Sequence, residues 1–158
     1  TYRNGFIVDL PHWAERDADH LVASELQHWL KQRARRDVNE IAADYRKRFG
    51  LQAEFIRVAD LANGWGSCGP GGKVQINWHL IFAPRKVLEY VVVHELAHLR
   101  VRNHGPEFWG FLKQIFPDCN SARAWLNNHQ LRLSSAFLSA NAAARLSSGV
   151  TCGGTMLL

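Results

Sequence analysis

Between His94 and His104 the chain sets three histidines and a glutamate at a spacing that few folds can accommodate: His94-Glu95-Leu96-Ala97-His98, with His104 after the next turn of chain. In an α-helix, side chains four residues apart lie one above the other on the same face. His94 and His98 can therefore aim both imidazoles at one point, as a zinc ion requires. Glu95 projects about 100° round the helix from His94, close enough to touch a water at the metal without being a ligand. His104 can close the group once the chain has turned, and Glu107 and Asp118 are downstream carboxylates that could take its place. Three protein ligands plus solvent is the catalytic pattern, whereas a structural zinc normally has four protein ligands. The motif points to one zinc per chain and to hydrolysis, with Glu95 as general base.

The competing reading is coincidence, with two core histidines satisfied by ordinary hydrogen bonds. Val87 and Val91 continue the His94/His98 face toward the N-terminus, and Leu88, Val92, Leu96 and Leu99 form another apolar stripe. A helix apolar nearly all round is a buried helix. Buried imidazoles then need partners for their ring nitrogens, which a metal supplies.

With 158 residues, 47% hydrophobic and 21% charged, the chain is expected to be one soluble globular domain. Residues 1–128 are read as that domain and 129–158 as an Ala/Ser/Gly-rich tail, partly helical or loose. The run Tyr90–Leu99 is too short for a membrane span and is broken by His94, Glu95 and His98. The start shows no signal-peptide pattern, and Thr1 in place of Met is what a fragment or a processed product has. Cys68, Cys119 and Cys152 are odd in number and widely spaced, which suggests a reducing cytoplasm. The net charge of +5 gathers in Lys31/Arg33/Arg35/Arg36 and Arg46/Lys47/Arg48. Such clusters are more often a solvated helix face than a nucleic-acid footprint. Oligomeric state is not legible.

In chain order, Gly5–Val8 is a strand candidate and Trp13–Phe49 is helical, as one helix or two, with Gly50 as its stop. Glu54–Ala59 reads as a strand, the glycine-rich stretch Asn63–Gly72 as a loop, and Lys73–Trp78 as a half-buried strand. Pro84 opens the helix that carries the histidines, which should run to Arg100 or Arg102. A helix over Pro106–Phe116 buries Phe108, Trp109, Leu112 and Ile115. Asn120-Ser121 can cap another through Trp125 and Leu126. Ala136–Arg145 could extend a helix, and Ser147–Thr155 looks loose.

Trp65-Gly66-Ser67-Cys68, Ile76-Asn77-Trp78, Ala83-Pro84, the run Tyr90–Leu99, Asn103-His104 and Pro106-Glu107-Phe108-Trp109 resemble, in order and spacing, the YgjP-like metallopeptidase family. The resemblance extends from about Leu21 to Leu126. It implies a compact zincin-like α+β domain, a small antiparallel sheet packed on helices that include the zinc-binding one. It also implies zinc held by His94, His98 and His104, with Glu95 as the catalytic carboxylate. The family resemblance is compatible with a peptide substrate or with a nucleotide of the UTP type. The chain has Gly64 where family members usually carry an arginine. The His98-to-His104 spacing equals that of the metzincins, but Val101 stands at their glycine position and the only methionine is Met156. The turn is therefore expected at Arg102-Asn103, since asparagine tolerates the left-handed region.

In related folds an extended substrate pairs with an edge strand beside the active helix, and Lys73, Gln75 and Asn77 are the expected substrate-binding residues by position. Tyr90 and His79 are candidates for stabilising an oxyanion. Trp65, Trp78 and Trp109 are expected in the core, and Cys68 as a small buried thiol in a turn. Three classes compete: a zinc peptidase, which is favoured; a nucleotide pyrophosphatase using the same metal site; and a nucleic-acid-associated module.

Overall fold

A computed structural model describes residues 18–135, so the expected Gly5–Val8 strand and the stretch beyond Ser135 lie outside the described residues. The elements are α1 (Ala18–Phe49), β1 (Phe55–Ala59), β2 (Gly66–Gly69), β3 (Lys73–Asn77), α2 (Arg85–Ala97), α3 (Pro106–Ile115) and α4 (Cys119–Ser135). A short 3-10 segment at Trp78–Phe82 leads from β3 toward α2. The class is α+β, as expected.

The question of one helix or two before Gly50 resolves to one. Nothing in Arg35-Arg36-Asp37 breaks a helix, and Asp37 pairs with Arg33 one turn earlier and with Arg85 at the start of α2. Ala34, Val38, Ile41, Ala42 and Tyr45 recur at helical spacing and are buried. Gly50 ends the helix at φ +66, with its N–H bonded to the Arg46 carbonyl at 2.9 Å. The guanidinium of Arg100 donates to the free carbonyl of Phe49 at 2.7 Å.

The sheet has the order β1-β3-β2, with β3 parallel to β1 and antiparallel to β2. It is therefore mixed, rather than antiparallel throughout. The chain leaves β1, crosses to the far edge as β2, and returns between the two through a turn in which Gly71 and Gly72 have φ +74 and +75. This overturns the expectation that Lys73–Asn77 is an edge strand, since β3 is paired on both sides. Gln75 accepts from Arg57 of β1 at 2.9 Å, and Lys73 stands opposite Gly69. Asn77 is buried and holds the crossing loop. Its amide donates to the carbonyls of Leu61 and Gly64, each at 3.3 Å, and its side-chain oxygen accepts from the His79 backbone at 3.1 Å.

The core lies where α2 meets β3, α1, α3 and α4. Val74, Ile76, Leu80, Val92, Val93, Leu96, Phe108 and Leu112 are wholly buried. Trp78 is buried as well, and its ring nitrogen donates to Asp60, which also receives Lys31 at 2.6 Å. On α2, Val87, Leu88 and Tyr90–Val93 are all buried, so the helix is enclosed as its composition implied. α4 continues through the division expected at 128/129, because Ala122, Leu126 and Leu133 keep one face against the core.

Replacing Asn77 by alanine strands the loop carbonyls that it serves. Asn77→Ala should lose roughly 1–3 kcal/mol of stability, the cost of unsatisfied buried polar groups, measured by urea unfolding. An unchanged midpoint would show that the loop does not depend on this side chain.

Candidate metal centre

His94 stands in the last turn of α2, and His98 is the residue at which the helix closes, with φ −64 and ψ −14. The amides of Leu99, Arg100 and Val101 bond back to carbonyls of Leu96 and Ala97 at 3.0 Å, tightening the end of the helix. The chain then reverses and delivers His104 before Pro106 opens α3. The left-handed turn expected at Arg102-Asn103 does not occur, since no non-glycine residue among those described has positive φ. The tight closure after His98 turns the chain without it.

The three imidazoles converge. His94 Nε2 lies 2.9 Å from His104 Nε2, and His98 Nε2 lies 3.1 Å from it. Around a tetrahedral zinc with bonds of about 2.0–2.1 Å, nitrogens would sit roughly 3.3 Å apart, so opening these two separations by a few tenths of an ångström would bring them to that spacing. The donor set supports this. His98 Nδ1 faces the Val101 carbonyl at 3.0 Å. A carbonyl only accepts, so that nitrogen carries the proton and Nε2 turns its lone pair to the centre. His94 Nδ1 is buried with no hydrogen-bond partner among the described residues, leaving Nε2 as the ring's polar outlet. Burial, followed by the neighbouring His98 and His104, pushes the His94 pKa down to about 4. A metal binds such a neutral imidazole without first displacing a proton. These three histidines could hold a metal ion. The two alternative carboxylates do not belong to the group, and Asp118 is paired with Lys86 at 2.7 Å.

Phe108 sets the rings in place. It is wholly buried, lies over His98 at 4.5 Å, and meets His94 and His104 edge-on at 4.9 and 4.8 Å. Trp109, half-buried rather than core, donates from Nε1 to the His104 carbonyl at 3.0 Å. The amphipathic pattern of α3 marked both residues as apolar packing and gave no sign of their contact with the histidines.

Glu95 is 7% exposed, and burial raises its pKa to about 7. Its carboxylate presses against the backbone of β2. A Cβ added at Gly66 would lie 2.7 Å from Glu95 Cγ and 2.8 Å from Oε1, closer than such atoms can approach. Gly66 therefore leaves the space that Glu95 fills. The resulting cleft, about 410 Å³, is bounded by the three histidines, Glu95, Arg102 and Gly66-Ser67-Cys68 of β2. Burial, then the nearby Glu95, pushes the Cys68 thiol up, so it remains protonated. A smaller recess of about 180 Å³ adjoins His94 and Glu95 and is lined by Trp65, Tyr90 and Leu126. Lys73, Gln75, Asn77 and His79 line neither space. His79 is turned to Asn77, with Nδ1 2.9 Å from its side-chain oxygen.

The sequence model of the YgjP-like, metallopeptidase domain matches residues 10–129. Among solved structures, the metallopeptidase zymogen abylysin of Pyrococcus abyssi is similar with a TM-score of 0.52 at 19% identity, over 59% of this chain and 95% of that one. The metallopeptidase zymogen jannalysin of Methanocaldococcus jannaschii gives 0.48 at 20% identity, over 60% of this chain and 94% of that one. The first likeness bears on the fold alone, and the second is too slight to argue from. No curated protein sequence matches.

The purified chain should bind one zinc per molecule, counted by elemental analysis. The double variant His94→Ala/His98→Ala should lose it. Full zinc occupancy in the double variant would dismiss the three-histidine centre.

Proposed function

We propose that this chain, which belongs to the YgjP-like metallopeptidase family, is a zinc-dependent peptidase in which Glu95 is the general base. The observation that carries this reading is the meeting of three imidazole nitrogens and a buried carboxylate in one open cleft. When bound, zinc supplies Lewis acidity, which lets a water lose its proton near neutral pH. His94, His98 and His104 would hold the ion as neutral ligands, with Phe108 limiting their movement. Glu95 accepts the proton from the attacking water and delivers it to the leaving amine. Burial raises the Glu95 pKa, whereas a bound dication would favour its ionised form, the state in which it can accept that proton.

Substrate placement moves from β3 to β2. Among the described residues β2 pairs on one side only, with β3. Its other edge is available for an extended peptide to join as a further strand, and its residues Gly66, Ser67 and Cys68 wall the cleft. Tyr90 remains the candidate for stabilising the oxyanion. It precedes His94 by one helical turn, with the rings 5.8 Å apart. The nucleotide and nucleic-acid alternatives gain no support from the family match. Several cations of the basic helix are already engaged by Asp60, Asp37 and Asp44.

Glu95→Gln keeps the shape but cannot accept a proton, and should slow peptide cleavage by about 10² to 10⁴. Zinc content should be retained, and the melting temperature should not fall, because a neutral amide avoids the cost of burying a charge. Gly66→Ala should also keep its zinc, yet lose about 10²-fold in turnover by displacing the carboxylate. Parental rates in both variants would end the general-base assignment. Zinc loss in Glu95→Gln would make Glu95 a ligand instead.

A further inference from the structure

Two arginines border the histidine trio without an ion-pair partner among the described residues. Arg102 follows His98 by one helical turn's length of chain and lines the cleft beside Ser67 and Cys68. Its charge is felt at both Cys68 and His98. Arg123, on the exposed side of α4, lies over the Trp109 ring at 4.6 Å. Trp109 in turn is 5.9 Å from His94 and 5.8 Å from His104, and the charge of Arg123 reaches both Tyr90 and His94. Arg102 thus lines the cleft itself, whereas Arg123 lies outside its lining and borders the histidines through Trp109.

Several arginines placed elsewhere in the fold are engaged. Arg57 bonds Gln75, Arg100 bonds the Phe49 carbonyl, Arg48 pairs with Asp44, and Arg85 pairs with Asp37 and Glu40. Arg35, Arg36, Arg46 and Arg132 are exposed, but they neither line the cleft nor lie over Trp109 as Arg123 does. Among the described residues the only acidic side chain that lines it is Glu95, so a metal-loaded cleft would carry an excess of positive charge.

We propose that Arg102, in the cleft, and Arg123, on Trp109 beside it, make this site selective for acidic peptides, each guanidinium receiving a substrate carboxylate near the scissile bond. This rests on the peptidase reading above. A guanidinium presents a planar fork of donors that matches a carboxylate. Stacking on Trp109 orients Arg123 in advance, so less rotamer freedom is lost on binding. Both side chains are exposed, and solvent screens such pairs. The expected gain is therefore about three- to tenfold per arginine.

The test uses the zinc-loaded full chain on a complex peptide mixture, with cleavage sites read by mass spectrometry. Asp and Glu should be enriched within a few residues of the cleaved bonds, and the enrichment should fade as salt rises. Arg102→Gln and Arg123→Gln should each weaken it and the double variant should remove it, while Arg→Lys at either position keeps part of it. A second readout needs no turnover. Zinc-loaded Glu95→Gln should bind a fluorescent acidic peptide more tightly than its Asn/Gln counterpart, and the added arginine substitutions should abolish the difference.

Cleavage without charge preference, or a preference that survives both arginine substitutions, would overturn the proposal and leave the peptidase reading standing. Absence of cleavage with arginine-dependent acidic-peptide binding would overturn the peptidase reading and support the recognition. Arginine-dependent binding of nucleoside triphosphate or pyrophosphate in preference to the acidic peptide would overturn the peptide assignment in favour of phosphate. Absence of both cleavage and anion binding would overturn the two together.

Discussion

The ring of Phe108 touches all three imidazoles, and the geometry of the centre depends on it. His94 and His98 come from α2, whereas His104 comes from the turn that follows. Helical spacing alone brings the first two together. The third needs an outside constraint, which Phe108 provides from the start of α3 while Trp109 holds the His104 carbonyl. Because Phe108 is itself locked in the core, the rings lose little further freedom when they close on an ion. Packing here positions the three imidazoles that could hold a metal as well as stabilising the fold.

How much of this was legible in the sequence follows from the range of the interactions involved. α2 could be read because its signals are local: a histidine pair at helical spacing in an apolar run, with Pro84 in front. The stop at Gly50 is local too, a residue free to take positive φ at a helix end. The sheet could not be read the same way. Lys73–Asn77 alternates like an edge strand, yet it is central because β1 and β2 approach it from either side. Alternation reports which face is buried and says nothing of which neighbours are paired. The edge proposed for the substrate is consequently β2, whose Gly-Ser-Cys-Gly sequence shows little strand character.

Gly66 illustrates the same limit at the scale of one atom. Trp65-Gly66-Ser67-Cys68 supported the family resemblance, but nothing within those four residues discloses that the glycine faces Glu95. That contact spans almost thirty positions and exists only once β2 has packed on α2. The same holds for Arg102 and Arg123, which in sequence are unremarkable surface cations. Their meaning comes from their neighbours in the fold, the cleft for Arg102 and Trp109 for Arg123.

The central claim is that three imidazoles of this chain, and no other side chain, bind the metal. X-ray absorption at the zinc edge on the metal-loaded protein tests it most directly. The account predicts three nitrogen neighbours at about 2.0–2.1 Å with the remaining position filled by a light oxygen scatterer. A sulfur neighbour at about 2.3 Å would place Cys68 on the metal, and a first shell with fewer than three imidazoles would break up the trio; either result would contradict it.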